Sequence, residues 1–283
     1  MLDDGTTVLG IDFTSTPSLK KPITVATGRW YRGSGLAVYQ LDEVQRIGSF
    51  EEFDAFLHEN TSWVGGFDLP FGQPRLLIEH QGWPTQWTDF VHFYCQQSRN
   101  ELRDIFRQWC DSRPKGNKFA WRNTDKPAGS SPAMRWTNPP VAWMMHAGIE
   151  RMLNAGLSFP AHHHTGASDQ PPRIALEAYP GFTARKITRK SYKSDAVGNQ
   201  TETRRKERKA IIDALIHGTA KLNARVSMST SWQNKLLNDG SGDLLDAVIC
   251  SLQAAHAAGE EHYGLPKALD PLEGWIAAVP SND

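Results

Sequence analysis

Carboxylates end several of the apolar runs in this 283-residue chain. Asp12 follows "VLGI" and precedes the hydroxyls of Thr14 and Ser15, Asp68 closes "SWVGGFD" ahead of Leu-Pro-Phe-Gly, and Glu177 lies in "IALEAYPG". Asp243 and Asp246 open "GDLLDAVICSLQAAHAAG", three residues apart and so on one face of a helix. Carboxylates brought together raise one another's pKa and repel, and a hard divalent cation relieves that repulsion. Oxygen ligation with no cysteine nearby suits Mg²⁺ or Mn²⁺ rather than zinc. Two such ions, about 4 Å apart, activate a water and stabilise the leaving oxygen in phosphodiester cleavage. On this reading Asp12, Asp68, Glu177 and Asp246 are the candidate catalytic groups, and Asp12, Asp68, Asp243 and Asp246 are the candidate metal ligands.

Taken singly, most of these acids have a second explanation. Asp12 and Asp68 could each cap a turn. Asp243 in "GSGD" stands at a helix start, where the dipole favours an acid. Asp246, one turn further into an apolar helix, is harder to explain as a cap, and Glu177 inside "IALEAY" would carry a desolvation penalty if unpaired.

Cations and rings follow in the stretch 113–143, where Lys115, Lys118, Arg122, Lys126 and Arg135 alternate with Trp121, Trp136 and Trp143. Cations meet phosphates and rings stack on bases, as a single-stranded or distorted nucleic acid requires; the same tryptophans could instead anchor a long loop on the core. The expected substrate-binding residues are Thr14, Ser15, Lys126, Ser130, Ser131, Arg135, Arg185 and Lys193. The run Arg204 to Lys209 reads as a solvated helix face, and "HHH" at 162–164 as an exposed loop, since three adjacent side chains cannot all face one ion.

The elements that must position these groups follow from patterning. "VLGID", "ITVATGRWY" and "LAVYQLDEV" read as three strands joined by short turns, an antiparallel meander. "GSFEEFDAFLHEN" reads as a helix with Ser49 and Glu52 as a capping box and Phe50, Phe53, Phe56 and Leu57 on one face. "SWVGGF" is a fourth strand and "RIALE" a fifth. Between them, residues 74–172 form a mostly helical insertion, with "TDFVHFYCQQSRNELRDIFRQWC" as one helix and "VAWMMHAGIERMLNAG" as another, begun by Pro139 and Pro140 and stopped by Gly156. "TETRRKERKAIIDALIHG" and the alanine-rich "GDLLDAVICSLQAAHAAG" are two further helices, the second packing on the sheet. The expected organisation is one α/β domain over 1–283, with the segment after Pro266 as loop.

Lys plus Arg and Asp plus Glu both number 31, so net charge indicates no partner. The distribution is uneven: 173–209 carries 11 basic against 4 acidic side chains, and 239–283 carries 8 acidic against 1 basic. A basic segment suits a polyanion and an acidic one suits cations; the alternative is that opposite faces neutralise each other in a soluble enzyme. Three cysteines without a CxxC pair argue against a disulfide scaffold and a zinc ribbon. No signal-like opening and no run of about 18 apolar residues is present, so a soluble, cytoplasmic protein is expected, with no membrane partner.

The segments "GIDFTS…KP", "GFDLPFGQPR", "DKPAGSSPAMRWTNPP", "LEAYPG", "YKSD…QT…R" and "GDLLDAVICSLQAA" resemble the domain of unknown function 429 family, in the family's order and over residues 8–258. That resemblance implies a ribonuclease H-like fold with a mixed five-stranded sheet, and a predicted nuclease activity on DNA or RNA. It makes Asp12 the first-strand aspartate, Asp68 the fourth-strand carboxylate, and Asp243 with Asp246 the closing-helix pair, an arrangement nearer the Holliday-junction resolvases than ribonuclease H itself. Glu177 matches no ligand position of either.

Two other functions compete with a nuclease. An ATP-handling protein of the actin, Hsp70 and sugar-kinase type also ends its first strand on an aspartate, but wants glycine-rich hairpins, and "DFTSTPSLKKP" has no glycine and no second copy. A non-catalytic nucleic-acid binder would gain nothing from five acids, because bare carboxylates repel phosphate unless a cation is present.

Overall fold

A computed structural model describes residues 3–59 and 61–280 of the chain. β1 (Thr6–Asp12), β2 (Ile23–Tyr31) and β3 (Ala37–Ile47) form the expected antiparallel meander. β4 (Trp63–Phe67) lies parallel to β1, and β5 (Arg173–Glu177) lies parallel to β4. The sheet has a sixth member where five were expected: β6 (Ala224–Ser227) pairs with β3, giving the order β5-β4-β1-β2-β3-β6. β6 is four residues long, with only Ala224 and Val226 buried, too short for alternation to stand out in the sequence.

Alternation divides each central strand between two cores. Leu9, Ile11 and Phe13 join one apolar cluster, and Val8 joins the other. The first cluster is covered by α1 (Phe50–Leu57) and by helices between β4 and β5: α2 (Arg75–His80), α3 (Trp87–Gln96), α4 (Arg99–Asp111) and α6 (Val141–Asn154), while Ala128 of the single turn α5 (Asp125–Ala128) packs in a small third cluster with Phe182, Ile276 and Val279. The Ser49 side chain caps α1 by accepting the Glu52 N–H, while the Glu52 carboxylate accepts the Gly48 N–H at 2.8 Å instead of closing the expected capping box. The segment 88–110, expected as one helix, is two. Ser98 accepts the Glu101 N–H while the Glu101 carboxylate accepts the Ser98 N–H at 2.8 Å, so a capping box restarts the chain as α4.

The second cluster is covered by α7 (Pro180–Ile187), α8 (Glu202–His217), α9 (Thr230–Asn238) and α10 (Asp243–Gly259). α10 runs almost against the backbone of β1 and β4. A Cβ on Gly10 would lie 2.0 Å from the Ala247 carbonyl, and one on Gly66 would lie 2.4 Å from the Cys250 carbonyl. Any side chain at either position would lift the helix off the sheet.

One loop differs from expectation. His162, expected in an exposed loop, is buried; its ring stacks on Trp87 with centroids 4.2 Å apart, and burial lowers its pKa to about 3. Residues 267–280 are loop, as expected, and touch the edge of β5 where the Ala277 N–H donates to the Glu177 carbonyl at 2.7 Å. Among the described residues no helix is long and apolar enough to cross a membrane.

Candidate active site

β1, β4 and β5 are parallel and in register, with Ile11 opposite Phe67 and Phe67 opposite Glu177, so their carboxyl ends open together. Ligands of α/β sheets bind at such ends. Side chains alternate along a strand, which puts Asp12 on the same face as Val8 and Gly10, and Asp68 on the same face as Val64 and Gly66. That is the face covered by α10. The two glycines bring the helix in close, and its first turn carries Asp246, fully buried, to the two strand aspartates.

Asp243 is the first residue of α10 and is half-buried at the cleft wall. It is not the helix cap. Asp239 takes that role, its carboxylate accepting the Leu244 N–H at 2.9 Å and the Ser241 hydroxyl at 2.8 Å. Asp246 is fixed on both oxygens: Oδ1 accepts the Tyr192 hydroxyl at 2.5 Å, and Oδ2 accepts the Lys193 ammonium.

Burial is the chief influence on these acids. It raises Asp12 well above the ordinary carboxylate range, assisted by Asp246, Asp243 and Asp68 and opposed by Lys193. Asp68 is pushed up to about 7 by burial, again opposed by Lys193. Asp243 is raised by burial and by Asp239. Lys193 is held protonated in spite of its own burial, chiefly by Asp246. Lys193 thus pairs with Asp246 and is the opposing charge felt by Asp12, Asp68 and Asp243.

Glu177 has a different surrounding. Its position along β5 matches Ala175 of the first cluster, so it leaves the sheet on the face opposite α10. There Arg122 grips both of its oxygens, Nη2 to Oε1 at 2.6 Å and Nη1 to Oε2 at 2.7 Å, and the Phe71 N–H donates to Oε2 at 3.0 Å. Arg122 also holds Asp125, and all three side chains are at most 4% exposed. Glu177 was expected among the catalytic carboxylates; its lone pairs are taken up by this ion pair, and its work is to anchor the loop bearing Arg122 to the sheet. The sequence hint was an acid inside a buried strand, which demands a cation, but nothing local named Arg122.

The carboxylates lie in a cleft of about 620 Å³. Asp12, Asp68 and Asp243 line it, together with Thr14, Ser15, Ser130, Ser131, Arg185 and Lys193 from the expected binding set. Sequence reasoning did not single out Lys21, Arg189, Lys190 or Tyr192, which line it too. Lys21 and Asp195, 2.8 Å apart, tie the β1–β2 loop to the loop after α7 across the rim. Arg185 is engaged on the protein, donating to the Ala128 carbonyl at 2.8 Å and to the Tyr179 hydroxyl at 3.0 Å, so it steadies the wall that carries Ser130 and Ser131.

Lys126 and Arg135 are not in the cleft lining. Lys126 is exposed, its ammonium 5.8 Å from the Trp121 ring, and Arg135 turns to Thr137. Trp136 and Trp143 pack on Phe106 and are half-buried, and Trp121 is the most exposed of the three tryptophans. The anchoring explanation holds for the other two.

Compared with protein-family profiles, with curated proteins and with solved structures, the chain matches none. Among the described residues no three His, Cys, Asp or Glu side chains are already close enough to hold a metal ion as they stand. The cation within the cluster is Lys193.

Proposed function

We propose that this chain is a divalent-metal-dependent phosphodiester hydrolase of ribonuclease H-like fold, acting on DNA or RNA. Three aspartates, Asp12, Asp68 and Asp243, on the lining of a cation-walled cleft, with buried Asp246 behind them, carry this reading. Three antiparallel strands followed by two parallel ones beside the first agree with that fold and with the resemblance to the domain of unknown function 429 family.

The donor set suits Mg²⁺ or Mn²⁺ in its chemistry, and its aspartates would have to draw closer around the ion than they stand. It is all oxygen, desolvated and short of positive charge, and it already grips a cation, the Lys193 ammonium. Asp12, Asp68, Asp243 and Asp246 would hold the metal. Once bound, such an ion supplies positive charge for the phosphate oxygens and lowers the pKa of a water. The chain itself does the positioning. Tyr192 fixes Asp246 through its hydroxyl, Gly10 and Gly66 set the depth of α10, and Lys21, Arg189 and Lys190 on the rim offer charge to the phosphates on either side. With two of the three tryptophans packed inward, the cleft suits a phosphate backbone better than stacked bases.

The test is incubation with labelled single-stranded, duplex and branched DNA and RNA, in Mn²⁺ or in EDTA, beside Asp12→Asn and Asp246→Asn. Cleavage that needs the metal and disappears in both variants is the expected outcome. Cleavage that survives in both, or none on any polymer, overturns the proposal.

A further inference from the structure

Lys193 is the one member of the cluster that a metal-bound site does not require. Its ammonium donates to Asp246, and it is the main charge offsetting the burial of Asp12 and Asp68. The backbone on which it stands is fixed on both sides. The Tyr192 carbonyl accepts from Arg208 Nη1 at 2.7 Å, the Ser194 N–H donates to the Gly240 carbonyl at 3.1 Å, and the Tyr192 ring is buried. Close to the lysine the chain leaves no room for error, since a Cβ on Gly242 would lie 2.7 Å from the Lys193 Cβ. The side chain itself is 41% exposed and lines the cleft. A flexible four-carbon stem lets the ammonium leave Asp246 while the loop stays in place.

Resting on the metal-dependent reading above, we propose that Lys193 is a tethered counter-ion: its ammonium holds the aspartates together in the metal-free protein, and a divalent ion enters by displacing it into the cleft. The freed ammonium then stands among Lys21, Arg189 and Lys190, where the phosphate of a substrate is met. The lysine keeps the site from flying apart when empty, and it lowers the apparent metal affinity in proportion to the small fraction of molecules in which it is undocked.

Calorimetric titration of Mn²⁺ into wild type and Lys193→Met reads this directly. The variant is expected to bind at least tenfold more tightly, and Asp12→Asn added to it should abolish the binding. Equal or weaker binding by Lys193→Met, or no binding by either protein, overturns the proposal. Should Lys193→Met fail to fold, wild type labelled with ¹⁵N at its lysine ammonium groups answers instead: the Lys193 signal should leave its hydrogen-bonded position as Mg²⁺ saturates, and a signal that stays put overturns the proposal. Neither readout uses nucleic acid. Lysine-limited Mn²⁺ binding without cleavage sinks the hydrolase and keeps the counter-ion, whereas metal-dependent cleavage with unchanged Mn²⁺ affinity does the reverse.

Discussion

Two groups of charge lie on opposite faces of the same strand ends, and they are built to different ends. Around Arg122, two carboxylates meet one guanidinium that donates to both, and Glu177 also receives a backbone N–H. Around Lys193, one ammonium pairs with Asp246 and offsets the charge of Asp12, Asp68 and Asp243 at longer range, and the cluster opens on a cleft. The first group is saturated and at most 4% exposed, although Arg122 and Glu177 also border the cleft. A desolvated charge is tolerated only when paired and hydrogen-bonded, and the planar fork of arginine meets that demand in full. The second is left short of positive charge beside solvent, which suits a site that takes in a cation. Saturation, rather than burial or the presence of acids, separates the structural group from the candidate functional one.

Mutation should separate them in the same way. The largest effect is expected for Asp12→Asn, with metal-dependent cleavage falling on the order of 10³-fold. Its melting temperature should hold or rise, because one of the crowded carboxyls is gone; a large fall in melting temperature would mean that the cleft acids are structural after all. Arg122→Met should do the opposite, losing about 3–5 kcal/mol in urea unfolding because Glu177 and Asp125 are left buried without a partner. An Arg122→Met protein as stable as wild type would remove the contrast.

Acid sharpens it further. The Asp68 pKa stands at about 7 in the folded protein, above the ordinary 3.8, so the native state keeps a proton that the unfolded chain has released. Stability from this group is therefore complete below about pH 4 and is lost as pH rises through about 7. Metal-free wild type should lose on the order of 2 kcal/mol relative to Asp68→Asn over that window, read from urea midpoints at each pH. Buried His162, held near 3, works in the reverse sense by favouring the folded state as pH rises toward 6.5, but it is common to both proteins and cancels in the difference. The smallest effect is expected for Arg185→Ala, which releases the 128–129 backbone at a cost of about 1 kcal/mol and should raise KM severalfold with kcat nearly unchanged. A fall in kcat alone would place Arg185 at the reacting phosphate.

Much of this was legible before any coordinates. Ser49 and Glu52 announced α1, Pro140 and Gly156 bracketed α6, and the strand acids stood at the carboxyl ends where the structure has them. Even the division between the two charge groups is written in the strands: Asp12 shares parity with Gly10, whereas Glu177 shares it with the core residue Ala175. The break at Ser98 was also available, in the spacing of Ser98 and Glu101, but a continuous apolar stripe masked it. His162 was misplaced because its neighbours mark a loop, and a loop can still turn one ring inward onto Trp87.

Local chemistry and alternation thus settled which acids stand at strand ends and which face each one leaves by. Tertiary structure alone chose their partners. Arg122 reaches Glu177 from 55 residues away and Lys193 reaches Asp246 from 53, through loops whose path depends on how α5, α7 and α10 dock on the sheet. No periodicity runs across such a gap. A carboxylate's neighbours in sequence tell where it points, and only the packing of distant segments tells which cation it meets, and hence whether it is closed off or left open to bind.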